Sequence, residues 1–296
     1  MGLELSARAR RLATGAFVAT SLVMLSACSA EDTAQIKRFA MPEPITEEAP
    51  AIFELWKWSW VAALIVGVLV WGLIGYAALR YRRRSDDEVP VQMRYHLPIE
   101  TFYTVAPVIM VIVFFFFTVQ TQNKVLANPT PDHTVTVVGQ QWSWTFNYEE
   151  EEAVGGQTVH DVGTPSEMPT LVLPVNQTVR FQLHSPDVIH SFWVPNFLMK
   201  LDVVPGRDNY FTATPDKVGT YVGRCAELCG AYHGRMLFNL EVVEQAEYEQ
   251  HLRDLEAQGN VGRILGGENA DTAPGFPNAD EDKVNLDDQY DTGDDE

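Results

Sequence analysis

The sequence predicts a two-helix transmembrane hairpin, then an all-β Greek-key sandwich, then a disordered acidic C-terminal tail. Three observations carry this. Two uncharged runs, Trp60–Leu79 and Phe102–Val119, are long enough to cross a bilayer. From Val125 onward, short runs rich in Val, Thr and aromatic residues alternate with Gly, Pro and Asn. Residues 267–296 hold eleven acids, one Lys and almost nothing apolar. The 296 residues divide into an export signal (1–27), an exported N-terminal segment (28–52), the hairpin (53–124), the β domain (125–266) and the tail (267–296).

Arg8, Arg10 and Arg11 precede an uncharged stretch, Ala13–Ala27, that ends Leu25-Ser26-Ala27-Cys28. A basic start, a short apolar region and small residues before a cut mark a secretory signal. Cys28 after Leu-Ser-Ala resembles a bacterial lipobox, in which the new N-terminal Cys is lipidated. The alternative is a cut nearby with an idle thiol, a liability on an exported tail.

A helix crossing about 30 Å of hydrocarbon needs roughly 20 apolar residues. Pro107 falls near the start of the second run and removes one helical hydrogen bond. Between the runs lie Arg80, Arg82, Arg83, Arg84 and Arg94. Basic residues in short loops stay in the cytoplasm. The loop is therefore inside, and both ends of the mature chain are outside. Trp56, Trp58, Trp60, Tyr76 and Tyr81 flank the first span, at the depth amphipathic rings prefer.

Seven strands are predicted, at 134–138, 141–148, 170–173, 178–184, 208–214, 219–223 and 236–243, with a closing helix at 246–258. Seven to nine strands in some 120 residues suit a Greek-key sandwich or barrel. The polar stretch Glu149–Ser166 reads as a surface loop near the face that meets a partner. The tail cannot bury enough apolar surface to offset chain entropy. A solvated tail is favoured over a docking arm.

The segment Cys225-Ala-Glu-Leu-Cys229-Gly-Ala-Tyr-His233-Gly-Arg-Met236 carries chemistry. Thiolate, imidazole and thioether are soft ligands that select copper over magnesium or calcium. One Cys would suggest a mononuclear site. A second Cys four residues away allows two thiolates to bridge two copper ions, each needing an imidazole and a weak axial donor. His233 and Met236 supply one of each. His190, in a loop bracketed by Pro186 and Pro195, is the candidate second imidazole. A Cys225–Cys229 disulfide is the bland alternative. It closes too short a loop to contribute much stability, and it leaves the spacing of His233 and Met236 unexplained. A thioredoxin-type pair would precede a helix, whereas a strand-like run follows here. His96, His133, His160, His184 and His251 show no ligand pattern and read as surface or satisfied core residues.

Across residues 50 to about 250 the chain resembles subunit II of the haem–copper cytochrome c oxidases, in the lipoprotein form of Gram-positive bacteria. The Cys-x-Glu-x-Cys-x-x-x-His-x-x-Met run resembles the family's CuA loop. Gly139-Gln-Gln-Trp142-Ser-Trp144 resembles its aromatic stretch. Glu100-Thr-Phe-Tyr-Thr-Val-Ala-Pro107 resembles its second membrane helix. The resemblance implies a cupredoxin-like domain with His190, Cys225, Cys229, His233 and Met236 as CuA ligands, and Glu227 as a backbone-carbonyl ligand. It implies electron acceptance from cytochrome c near Trp142, with Trp144 as packing. Electrons would pass to haem in subunit I, where oxygen is reduced and protons are pumped. It makes the Glu227 carboxylate a ligand to magnesium or manganese shared with subunit I, and Glu100 a proton-uptake residue. Asp187 and Asp202 match acidic positions near the copper, for docking or for a polar interface. Haems belong to partner subunits, since no Cys-x-x-Cys-His occurs. The partners implied are subunit I, other oxidase subunits, a soluble or membrane-bound cytochrome c, and lipid, at the outer face of a bacterial plasma membrane. A quinol-oxidase relative would lack the copper ligands. A copper-delivery lipoprotein would not need the hairpin, and nitrous oxide reductase has none.

Arg224 and Arg235 depart from the family pattern and add positive charge beside the copper loop. The formal net charge of −19 argues against nucleic-acid binding. Both 125–266 and 267–296 carry −10. An acidic exported face suits steering of a basic donor, but half of the charge lies on a tail that is far from the copper loop in sequence.

Overall fold

The computed structural model describes residues 29–85 and 88–266. The signal at 1–27, Cys28 and the tail at 267–296 lie outside the described residues. Where the sequence suggested only a segment, Ala30–Lys37 forms a helix, α1. Ser29 and Asp32 close a capping box at its start, satisfying two otherwise orphaned N–H groups.

The two spans are α2, Ala49–Arg80, and α3, Leu97–Val125. They pack against each other and bury none of their most apolar windows inside the protein. Both outrun the uncharged runs. At about 1.5 Å per residue, α2 is some 48 Å long, so its first turns stand clear of the hydrocarbon. Glu100 caps α3, its carboxylate accepting from His96 N–H at 2.7 Å.

Ten strands, not seven, form two facing sheets. They are β1 His133–Gln140, β2 Ser143–Glu151, β3 Gln157–Val162, β4 Thr170–Pro174, β5 Val179–His184, β6 His190–Val194, β7 Met199–Val203, β8 Asn209–Ala213, β9 Gly219–Cys225 and β10 Leu237–Val243. One sheet has the order β3-β2-β1-β5-β8, the other β4-β10-β9-β6-β7. Trp144, Phe146, Phe181, Phe192 and Phe238 stack between them, fully buried. Helix α4, Gln245–Ala257, closes one end with Tyr248, Leu252 and Leu255.

Two expectations are corrected. Glu149–Ser166 is not a surface loop: β2 runs on to Glu151 and β3 returns beside it, burying Val154 and Val159. Its polarity misled because its carboxylates have partners inside the fold. Glu149 accepts from Thr136 at 2.6 Å and Arg263 at 2.7 Å; Glu151 accepts from Tyr248 at 2.8 Å and pairs with His133 at 2.9 Å. Nine residues of β2, at about 3.3 Å each, separate the Glu152–Gly156 bend from Trp142. Only Gly163 and its neighbours return to that end, through Gly163 N–H to Trp144 O at 3.0 Å. The Ser185–Pro195 loop is the second case, since His190 opens a strand.

After α4 the chain straps across the first sheet. Gly262 N–H donates to Thr158 O at 2.8 Å, and Ile264 exchanges hydrogen bonds of 2.7 and 2.9 Å with buried Asn147. Gly266 then lies so close to Gln140 and Pro186 that a side chain there would collide with both. The described residues therefore end at Gly266, beside Gln140 at the end of β1.

Burial opposes a proton on His133, but the Glu151 carboxylate and Gln177 outweigh it and raise its pKa. Its contribution to stability is therefore complete below about pH 6.5 and is lost as pH rises through the raised value. In His133→Gln, thermal unfolding should lose that slope above pH 6.5; an unaltered slope would remove the pair from the stability balance. A methyl group on Gly223 would fall inside the Phe238 ring. Gly223→Ala should cost about 1–3 kcal/mol, read as a lowered unfolding midpoint.

Candidate metal centre

The copper-type loop hangs between two paired strands. Cys225 ends β9, and Met236 immediately precedes β10. Cys225 N–H donates to Met236 O at 3.0 Å and closes the neck. A short 3-10 turn at His233–Arg235 folds the far limb back. Gly230, at φ +121°, sits where Cβ would press on the Trp142 ring at 3.1 Å. That conformation and that contact both require glycine.

Across the sheet, Phe192 of β6 pairs with Cys225 of β9. This register brings His190, two residues earlier, over the loop. Its Nδ1 lies 3.9 Å from Cys225 Sγ. The two thiols are free and 3.8 Å apart. Cys229 Sγ lies 3.6 Å from His233 Nδ1 and 3.8 Å from Met236 Sδ. The Glu227 carbonyl stands 3.2 Å from Cys225 Sγ. His190, Cys225, Cys229 and Met236 are all buried.

These separations fit metal. Donors held at about 2.0–2.3 Å around a tetrahedral ion stand roughly 3.3–3.8 Å apart. The sulfur-rich set with two imidazoles suits copper. Cys225 is pulled down to about 3, first by the Cys229 thiol and then by His190 and backbone N–H groups against burial. Cys229 is pushed up by the Cys225 thiolate and burial.

Groups around the ligands hold them in place. Asp187 Oδ1 lies 2.9 Å from His190 Nε2, which leaves Nδ1 facing the thiols. Burial disfavours charge on His190, but Asp187, then Cys225, raises its pKa. Burial also opposes ionisation of Asp187, yet hydrogen bonds from His190, Gln141 N–H and Val188 N–H lower its pKa. Gln141 Nε2 and Trp142 Nε1 both donate to Cys229 O, at 2.7 and 3.2 Å. Trp144 is fully buried and donates to Met236 O at 3.3 Å.

Of the predicted site residues, His190, Cys225, Cys229, His233, Met236 and the Glu227 carbonyl converge, and Trp142 joins them through Cys229. Glu100 stands apart, on α3. The Glu227 side chain is exposed, and no further carboxylate completes a metal cluster with it among the described residues. Asp202 is exposed on β7 opposite Ser191. Sequence reasoning missed the positioning roles of Asp187, Gln141 and Gly230. The three-residue offset between Asp187 and His190 was the available signal.

A two-sheet sandwich with this pocket at one end, carried on an apolar hairpin, is a cupredoxin-like copper domain of a membrane protein. The profile of "Cytochrome C oxidase subunit II, periplasmic domain" matches residues 133–243. A probable cytochrome c oxidase subunit 2 of Streptomyces avermitilis is 48% identical over 282 residues, covering 83% of this chain and 87% of the relative. The subunit 2 of Corynebacterium glutamicum is 36% identical, covering 73% of this chain and 75% of its own. The solved periplasmic domain of cytochrome oxidase subunit II from Bradyrhizobium japonicum is 31% identical, covers 44% of this chain and 97% of its own, and has a TM-score of 0.39. The chain belongs to the cytochrome c oxidase subunit II family and is thereby a subunit of a terminal oxidase.

Gly230→Ala forces a Cβ into the positive-φ region, at a cost of about 1–3 kcal/mol. It should also displace Trp142, seen as a shift in tryptophan emission. Unchanged emission and stability would show that the loop absorbs the methyl group freely.

Proposed function

We propose that this chain accepts electrons from a c-type cytochrome at a dinuclear CuA centre and passes them to the haem of subunit I. Oxygen is reduced there, coupled to proton pumping. The observation that carries this reading is the convergence of two thiols, two imidazoles, a thioether and a carbonyl at separations of 3.2–3.9 Å. Bound copper supplies a one-electron carrier whose charge is shared by two ions. Cys225, Cys229, His190 and His233 would hold the copper, with Met236 Sδ and the Glu227 carbonyl as weaker donors.

The protein's task is to hold these donors still. Rigid strands set both ends of the loop, and Asp187 fixes the His190 ring. Trp142 is half-buried, with one edge at the surface and its N–H on the carbonyl of ligand Cys229. It is where electrons arrive. The exposed Glu227 carboxylate faces a magnesium or manganese ion completed by subunit I. Glu100 takes up protons at the inner end of α3. Cys28 carries the lipid after the 1–27 signal is removed. The arginine-rich 80–84 loop is cytoplasmic, and the copper domain and both mature termini lie outside. The domain boundaries at 27, 52, 124 and 266 belong to the same reading.

The purified full-length chain should bind two coppers and give an EPR signal shared by two nuclei. One type 1 copper, or none, would sink the assignment. Met236→Leu should keep both coppers and shift the potential. Trp142→Phe should slow reduction by cytochrome at least about tenfold, or ~1.4 kcal/mol of barrier.

A further inference from the structure

The surface over Cys229 carries two residues that nothing above uses. Tyr232 meets Trp142 edge to face, with ring centroids 5.0 Å apart and planes at 87°. Tyr232 is 44% exposed. The Arg235 guanidinium lies 5.7 Å from the Tyr232 centroid. Arg235 is exposed, and no carboxylate pairs with it among the described residues. The result is an aromatic surface continuous with Trp142 and flanked by the Arg235 cation.

We propose that Tyr232 and Arg235 determine which donor this subunit accepts. With Trp142 they form one contact surface for a protein that presents an apolar edge flanked by a carboxylate. This deepens the reading of Trp142 as the point where electrons arrive, and rests on it.

The domain's charge of −10 does not contradict this. Charges more than about 8 Å apart are largely screened at physiological salt. Distant acids therefore act on approach, and the groups at the contact act on the fit. At this contact the nearby acid is turned away. Asp187 spends Oδ1 on His190, Ser185 and Val188 N–H, and Oδ2 on Gln141 N–H. Glu227 sits on the Cys225 limb of the loop, not the limb that holds Tyr232. Arg235 is thus the charge held over the ring that packs on Trp142. An arginine stacked on an aromatic ring is also held in place, so it selects for a partner charge at one position.

A plain packing role for Tyr232 would leave donor choice unmoved, and this separates the two. The other candidate for Arg235 is this chain's own acidic segment 267–296, which follows Gly266 in sequence.

The test uses the intact oxidase and two probes, an acidic and a basic c-type cytochrome of matched potential, at physiological ionic strength. Rates are normalised to copper content and to turnover with a small uncharged reductant. Arg235→Glu should lower kcat/KM for the acidic cytochrome about tenfold and raise it for the basic one by a similar factor. Tyr232→Ala should lower it for both. The proposal is overturned if Arg235→Glu leaves the ratio between the two cytochromes unmoved, or if Tyr232→Ala affects neither. It is also overturned if truncation after Gly266 abolishes the Arg235→Glu effect, because the arginine then holds the tail. Should Trp142→Phe leave both cytochrome rates unchanged, the arrival point itself is wrong. A slow Trp142→Phe with an unmoved ratio condemns this proposal alone.

Discussion

The hydrogen bond from Cys225 N–H to Met236 O, 3.0 Å long, is the constraint on which the metal pocket depends. It turns the ligand segment into a closed loop between two strands that are already paired, β9 and β10. Inside a closed loop, sequence spacing becomes geometry. Two thiols four residues apart come to 3.8 Å, and the next imidazole and thioether both reach Cys229. His190 is brought in by the same sheet, because β6 pairs with β9 at Phe192 and Cys225. The four buried donors thus all depend on one sheet. A one-residue slip of β6 against β9 would turn His190 away from Cys225.

The other sheet is tied to the loop at two carbonyls, Met236 O through Trp144 and Cys229 O through the β1–β2 turn. Cys229 O accepts from both Gln141 and Trp142, which occupies both of its lone pairs. Gln141 N–H also binds Asp187, the residue that orients His190. The β1–β2 turn therefore holds the backbone of Cys229 directly and the His190 imidazole through one carboxylate. Trp142 cannot shift without disturbing its hydrogen bond to Cys229 O. An exposed aromatic joined to a buried ligand in this way is a fixed surface feature, which suits a contact that must form the same way each time.

The sequence shows the hairpin, the sandwich and the soft-ligand loop because each has a strong local signal: uncharged runs, alternating strands and a dense Cys/His/Met spacing. What it hides depends on pairing between distant residues. Glu149 and Glu151 look solvated until Arg263, His133 and Tyr248 are placed around them. β3 is therefore read as loop. Asp187 looks like a surface acid until His190 folds onto it. The path of residues 259–266 is hidden for the same reason. Buried Asn147 holds that strap through two hydrogen bonds to the backbone of Ile264, which no composition pattern announces.

The junction with the hairpin fixes how the pocket is presented. Ile45 is 1% exposed, and Thr46 bridges to Pro215. Ile45 N–H donates to Asn196 O, Asp216 N–H to Ile45 O and Glu47 N–H to Thr214 O, at 3.2, 2.9 and 3.0 Å. On the other side, Thr212 Oγ1 donates to Ala127 O, just past α3, at 3.0 Å. Swinging the sandwich on its two connections would expose Ile45, at about 1.5–3 kcal/mol. It would also break four hydrogen bonds worth about 0.5–1.5 kcal/mol each. The low end of that sum is about 3.5 kcal/mol, which leaves roughly three molecules in a thousand swung away. The copper loop thus keeps a fixed attitude to the helices. A site that takes up an electron on one side and gives it up on another needs that fixed attitude as much as it needs its ligands.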